Sequence, residues 1–293
     1  MNMKTIKSIT LLSALSLAIG LASCSNDSEE NNDVVDNNVI RFNVEHPAAL
    51  TRATDTNFEP GDKVGIFLTD QNTVVELAGN YVTNIPLSHQ NDKWTTAKPL
   101  YWNEGTYDVY AYYPYVPSLV SVTDQPFSVA VDQNDGAGFE ASDLLWTAKK
   151  GLTASSGTVN LQFAHRLSRM QLQLVKSDDY EGELPDDAEV YVYNTVVDGT
   201  LDLNVGFVTP ERHASAKTIR ARSLGNHCYA AIVIPQRLNN RVPLVEVVSH
   251  GVSYLYESRF LFKPGVQHNV QLVLSNNPDR VKIQIGGEIQ NWN

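Results

Sequence analysis

The chain is poor in cysteine: of 293 residues only Cys24 and Cys228 carry a thiol, too few for the disulfide framework of a small secreted scaffold. It also lacks clustered positive charge. Lys and Arg number 22 against 33 Asp and Glu, a formal net charge of −11. The basic residues are dispersed except for Arg212, Lys217, Arg220 and Arg222, which read as a solvated loop or sheet edge, so no nucleic-acid partner is expected. No two of the seven histidines (46, 89, 165, 213, 227, 250 and 268) lie within four residues of each other, which removes the helical zinc motif. There is no G-x-S-x-G elbow and no S-x-x-K pair. Gly136 to Ala141 fits a relaxed dinucleotide pattern, but it has no βαβ context and no acidic residue about 20 positions on, and it reads as a glycine-rich hairpin loop. Asp132, Asn134 and Asp135 depart from calcium-loop spacing and lack a closing Glu. No catalytic residue, metal or cofactor is therefore expected, and the chain does not read as an enzyme.

What is present begins with a leader. Lys4 and Lys7, an apolar run from Ile9 to Leu21, and Leu21-Ala22-Ser23 before Cys24 give the three-part layout of an export signal over residues 1–23. The run is shorter and richer in serine than a spanning helix of about 20 residues requires. Leu-Ala-Ser-Cys resembles the lipobox of bacterial lipoproteins, which implies acylation of Cys24 after cleavage and an outer-membrane anchor made of lipid. Each buried methylene contributes roughly 0.8 kcal/mol, so a multiply acylated, palmitate-bearing Cys24 holds a soluble body on a membrane without any spanning segment. Residues 24–38 carry Asp27, Glu29, Glu30, Asp33 and Asp36 with few apolar side chains, the composition of a flexible acidic tether.

From Val39 onward apolar and polar residues alternate, Gly, Asn, Asp and Pro punctuate the runs, and no amphipathic helix of about 12 residues appears. The expected fold class is all-β, with two tandem β-sandwich domains over residues 39–163 and 164–293. In Val39 to Val44, the side chains of Ile40, Phe42 and Val44 share one face. Further expected strands cover 63–68, 106–113, 127–131, 158–163, 170–175, 189–193, 229–234, 244–248, 252–262, 267–274 and 281–285. Cys228 reads as a small apolar side chain at a strand start, and His165 as a cap or packing residue at the domain junction.

A set of local patterns then accumulates in order along nearly the whole mature chain. They are Gly61-Asp-Lys-Val-Gly-Ile-Phe67 after Thr51-Arg-Ala-Thr54, Tyr101-Trp102 ahead of Tyr107 to Pro114, and Asp143-Leu-Leu-Trp146. Val159 to Leu172, Ile234-Pro-Gln236 and Ile289-Gln-Asn-Trp292 complete the series. Together they resemble the fimbrillin family, the lipoprotein subunits of type V pili. The resemblance implies transthyretin-like sandwiches, no catalysis, other fimbrial subunits as partners, and a place in a cell-surface fimbrium that supports adhesion. It also implies assembly by donor-strand exchange: an Arg-specific protease cuts after the first strand, that strand leaves, and a neighbour's strand fills the slot.

Both halves of such an exchange have candidates. Ile40, Phe42 and Val44 mark the removable strand. Arg52, with Ala53 on the far side of the scissile bond, lies in Pro47 to Thr56, a segment without alternation that reads as an exposed loop. The alternative is that Arg52 is an ordinary surface arginine. Val281, Ile283 and Ile285 repeat the one-sided apolar spacing and form the candidate donor, or else the last strand of their own domain. Three such knobs and a handful of ladder bonds would gain on the order of 8 to 12 kcal/mol before ordering entropy. Shaft, tip and anchor roles stay open. The aromatic set Tyr101, Trp102, Tyr107, Tyr110, Tyr112, Tyr113 and Tyr115 reads as half core and half exposed. A monomeric surface lipoprotein that binds a glycan or host receptor on those rings is the alternative function.

Overall fold

The computed structural model describes residues 38–47 and 57–290. Within them the chain is almost wholly β. The first nine strands are β1 (Phe42–Glu45), β2 (Lys63–Asp70), β3 (Val82–Gln90), β4 (Lys93–Thr95), β5 (Tyr107–Tyr113), β6 (Gln125–Ser128), β7 (Leu145–Leu152), β8 (Val159–Gln162) and β9 (Ala164–His165), with a short helix α1 (Gly138–Ser142) between β6 and β7. Eleven more follow: β10 (Ser168–Lys176), β11 (Glu189–Thr195), β12 (Asp198–Asp202), β13 (Phe207–Pro210), β14 (Lys217–Arg220), β15 (Arg222–Gly225), β16 (Cys228–Val233), β17 (Gln236–Ser249), β18 (Val252–Phe262), β19 (Val266–Leu274) and β20 (Lys282–Gln290).

A six-stranded sheet, ordered β4-β3-β2-β5-β7-β9, separates two hydrophobic cores. Its central strands are buried on both faces. Period-two alternation sends Val64, Ile66, Leu68, Tyr107, Val109 and Ala111 into the first core, while Phe67, Tyr110 and Tyr112 enter the second. The expectation that half of the aromatic strand is exposed is therefore wrong: β5 is interior, and polar neighbours on a strand are no guide to solvent when both faces meet apolar layers. Gly65 makes this crowding possible, since a Cβ there would sit 2.2 Å from the Tyr112 ring. Beyond the glycine, the Tyr112 hydroxyl donates to Asn84 Oδ1 at 2.8 Å.

The first core is closed by the parallel pair β1-β8. The second lies between a five-stranded sheet, β15-β16-β10-β19-β20, and a four-stranded sheet, β14-β11-β17-β18. On β10, Met170, Leu172 and Leu174 turn inward while Gln171 and Gln173 are partly exposed. The first core is drawn from residues 40–163, but the second also takes Phe67, Val75, Tyr110, Tyr112, Val129, Phe139 and Leu144 from that stretch, and β6 pairs with β12 in a third small sheet, β13-β12-β6. Trp146 of β7 adds a second tie: its indole N–H donates to the Leu203 carbonyl at 2.7 Å. The ring covers Gly206, whose φ is +64° and whose Cβ, if present, would be 2.3 Å from the indole.

Three local expectations are corrected. Gly136 to Ala141 is no hairpin loop, because α1 starts at Gly138. The strand expected over 127–131 is displaced to Gln125–Ser128. The final strand does not stop at Ile285 but continues through Gly286 and Gly287, with a register shift opposite His268 and Val270. Lys217 and Arg220 lie on β14 and Arg222 on β15, each strand outermost in its sheet, and Arg220 is paired to Asp132 and Glu189 at 3.3 and 2.6 Å. Cys228 opens β16, half-buried, and burial pushes its thiol upward.

Candidate functional site

The first strand is bound from one side at a time. Residues 38–40 meet the 100–102 segment through an antiparallel bridge, Val39 to Tyr101, with Ile40 N–H donating to Leu100 O and Trp102 N–H to Asn38 O, both at 2.8 Å. The chain then switches neighbours, and β1 runs parallel to β8 with Phe42 opposite Val159 and Glu45 opposite Gln162. Among the described residues the two-stranded sheet contains no third strand, so β1 is an edge. Its free flank faces an open groove of about 580 Å³ bounded by Leu87, Trp94 and Pro99.

What holds β1 is its inward face. Ile40, Phe42 and Val44 are 5%, 9% and 8% exposed, packed into the core that holds Ile66, Leu87, Trp102 and Leu161. Arg41, Asn43 and Glu45 point to solvent. At roughly 1.5–3 kcal/mol per buried side chain, these three contribute about 5–9 kcal/mol, an upper estimate because the released strand is partly shielded too.

Arg52 and Ala53 fall in residues 48–56 and lie outside the described residues, as does Cys24. The two ends of that segment are on view, and they touch. His46 packs edge-on against Phe58 with ring centres 5.0 Å apart, and Pro47 is buried. Phe58 in turn meets Trp94, Tyr113 and Phe163 at 5.0, 5.5 and 5.9 Å. His46 also lies edge-on to His165 at 5.8 Å, whose Nδ1 is 2.8 Å from Asp143 Oδ1. Burial lowers the pKa of His46, as does the neighbouring His165, while the Pro47 carbonyl opposes them. No sequence pattern marks the pair His46 and Phe58; the only available signal was that a histidine and an aromatic residue flank a segment without alternation.

The candidate donor is placed in its own sheet. β20 is the outer strand beside β19, with Leu272 opposite Ile283 and Val270 opposite Ile285. Val281 and Ile283 pack against the second core, whereas Ile285 is 51% exposed. Of the seven aromatic residues named from the sequence, only Tyr101 is exposed, and Trp102, at 2% exposure, offers no face to a ligand. Among the described residues no cluster of three potential ligands could hold a metal ion, and no helix is long and apolar enough to cross a membrane.

The described residues thus form an all-β, multi-sheet protein in which β1 is an edge strand with one buried face, His46 and Phe58 meet on either side of residues 48–56, and β20 is a second edge strand. A family profile described as fimbrillin-like matches residues 51–292, and the chain belongs to that family. Solved structures with the same fold include a candidate cell adhesion protein from Bacteroides uniformis, 16% identical, TM-score 0.69, covering 87% of this chain and 98% of that one. A fimbrial protein from Bacteroides vulgatus is 12% identical with TM-score 0.51 over 87% of this chain and all of that one. The tip fimbrial protein Mfa3 from Porphyromonas gingivalis, with C-terminal truncation, is 8% identical with TM-score 0.51 over 78% and 94%. No curated protein matches the chain.

Proposed function

We propose that this chain is a non-enzymatic subunit of a cell-surface fimbrium, anchored during export by lipid on Cys24 and activated by removal of its first strand after Arg52. The observation that carries the reading is the state of β1, which is an edge strand held chiefly by three inward side chains, with His46 and Phe58 in contact on either side of a stretch whose sequence contains Arg52. Once that strand leaves, its slot exposes both an unpaired ladder and an apolar trough. An extended strand from another fimbrial subunit fills it, with main-chain bonds giving affinity and alternate side chains giving register. Family membership supports the assembly role. The division into two tandem sandwiches, 39–163 and 164–293, is kept as part of the same proposal, supported by a first core drawn wholly from residues 40–163, although the second core also recruits residues from that stretch.

The test treats the mature chain with an Arg-specific protease and follows fragment mass and particle size. Cleavage after Arg52, its loss in Arg52→Ala, and capture of a peptide of residues 280–293 by the cut protein are expected. Resistance of Arg52, or a cut protein that neither extends nor takes up the peptide, would overturn the mechanism.

A further inference from the structure

β18 is the outermost strand of the four-stranded sheet and pairs only with β17, leaving one flank of eleven residues without a backbone partner among the described residues. Long free flanks of this kind are the usual template for pairing with another chain. The pleat sorts its side chains cleanly. Tyr256, Phe260 and Phe262 enter the second core, and Ser253, Leu255, Glu257, Arg259 and Leu261 line the outer face, all exposed. Two of these five are large and apolar, with Leu255 at 43% and Leu261 at 37% exposure.

The order of the outer residues is self-complementary. If two copies of β18 run antiparallel about a two-fold axis through Ser258, Glu257 of each falls opposite Arg259 of the other, and Leu255 opposite Leu261. The four outer residues from Leu255 to Leu261 then pair as opposite charges or two leucines, the combinations that stabilise directly opposed positions in a sheet, while Ser253 falls opposite Lys263 just beyond the strand. Moving the axis by one residue sets Glu257 against Glu257 or Arg259 against Arg259, so charge selects the register. Arg259 has no ion pair among the described residues, and Glu257 has only a solvated one, to Arg241 at 3.4 Å, which the second copy need not break. Beside the free flank runs a groove of about 820 Å³, whose far wall is built by Pro278, Asp279, Val281, Lys282 and Ile283.

We propose that a second copy of this chain docks on the free edge of β18, joining the two four-stranded sheets about a two-fold axis. The contact is isologous, so it closes on itself as a dimer, unlike head-to-tail strand exchange. It requires no cleavage and leaves the slot of β1 untouched, which makes it a lateral contact between subunits.

Sedimentation of the uncut mature chain across a concentration series tests this, with Glu257→Arg, Arg259→Glu and the double exchange. Thermal melts establish that each variant folds. The parent should form a reversible dimer. Each single variant, which creates two like-charge pairs per dimer, should weaken it by about tenfold or more, and the double exchange should restore it to within about threefold. A parent that stays monomeric, a particle larger than a dimer, single variants that dimerise like the parent, or a double exchange that fails to recover would each overturn the proposal. Strand exchange is read separately, by protease and peptide, so either idea can fail alone.

Discussion

Removing one side chain from β1 should loosen a nicked subunit far more than it disturbs an intact one. Phe42 is 9% exposed in the first core, and truncating a buried phenylalanine to alanine costs about 3–5 kcal/mol. In the intact chain that loss is shared by the whole fold. After a cut within residues 48–56, β1 is held without a covalent link, and the same loss falls on its retention alone. At about 1.4 kcal/mol per factor of ten, the retention constant should drop by roughly two to three and a half orders of magnitude. Asn43 is the control, because its side chain is exposed and, among the described residues, bonded only to Glu45 at 3.2 Å. Asn43→Ala should change retention by no more than about 0.5 kcal/mol. The assay labels the N-terminal segment, cuts with an Arg-specific protease or at an engineered site, and follows loss of label on dilution. Equal retention in Phe42→Ala and the parent would refute the view that burial of this face, and not the ladder to β8, holds the strand.

Two further outcomes follow from the geometry. Because burial holds the folded pKa of His46 below its unfolded value near 6.5, the unfolded or released strand binds more protons. Retention is therefore full above that value and falls as the pH drops through it and on toward the lower folded pKa; His46→Phe should flatten the pH profile of label loss between about pH 5 and 8. Gly206→Ala forces a side chain into the Trp146 ring from a left-handed backbone and should destabilise by about 1–3 kcal/mol or more in urea melts, with Trp146→Ala in the same background relieving the clash but not the backbone strain.

The strands most easily read from sequence were those with one wet face or one unbroken apolar run. Residues 252–262 alternate along their length and coincide with β18, and 63–68 lies inside β2. β3 was missed because Pro86 and the left-handed Asn84 interrupt its pattern, although Asn84 is the partner that receives the Tyr112 hydroxyl across Gly65. β12 to β15 are four or five residues each and mostly polar at alternate positions, too short for periodicity to separate from loops. The inward face of β1 was legible since it needs only three apolar residues at spacing two. The clamp of His46 on Phe58 was not, because it joins residues whose neighbours carry no common period and whose contact is set by the core beneath them.

The two candidate exchange strands differ in how they are held, and this bears on direction. β1 can leave without disturbing another sheet, since its ladder partner β8 belongs to a pair of strands only. β20 is the fifth strand of a sheet whose register with β19 runs from Lys282 to Gln290, and Val281, Ile283 and Ile289 all pack on the second core. To act as donor it would have to give up that ladder, at about 0.5–1.5 kcal/mol per bond, and expose three half-buried side chains before gaining anything in the next subunit. In the proposed exchange, vacating the β1 position would cost one short strand, while freeing β20 would mean unzipping a finished sheet. Under the proposed exchange, the geometry therefore favours receiving a strand at the β1 slot over giving one from β20.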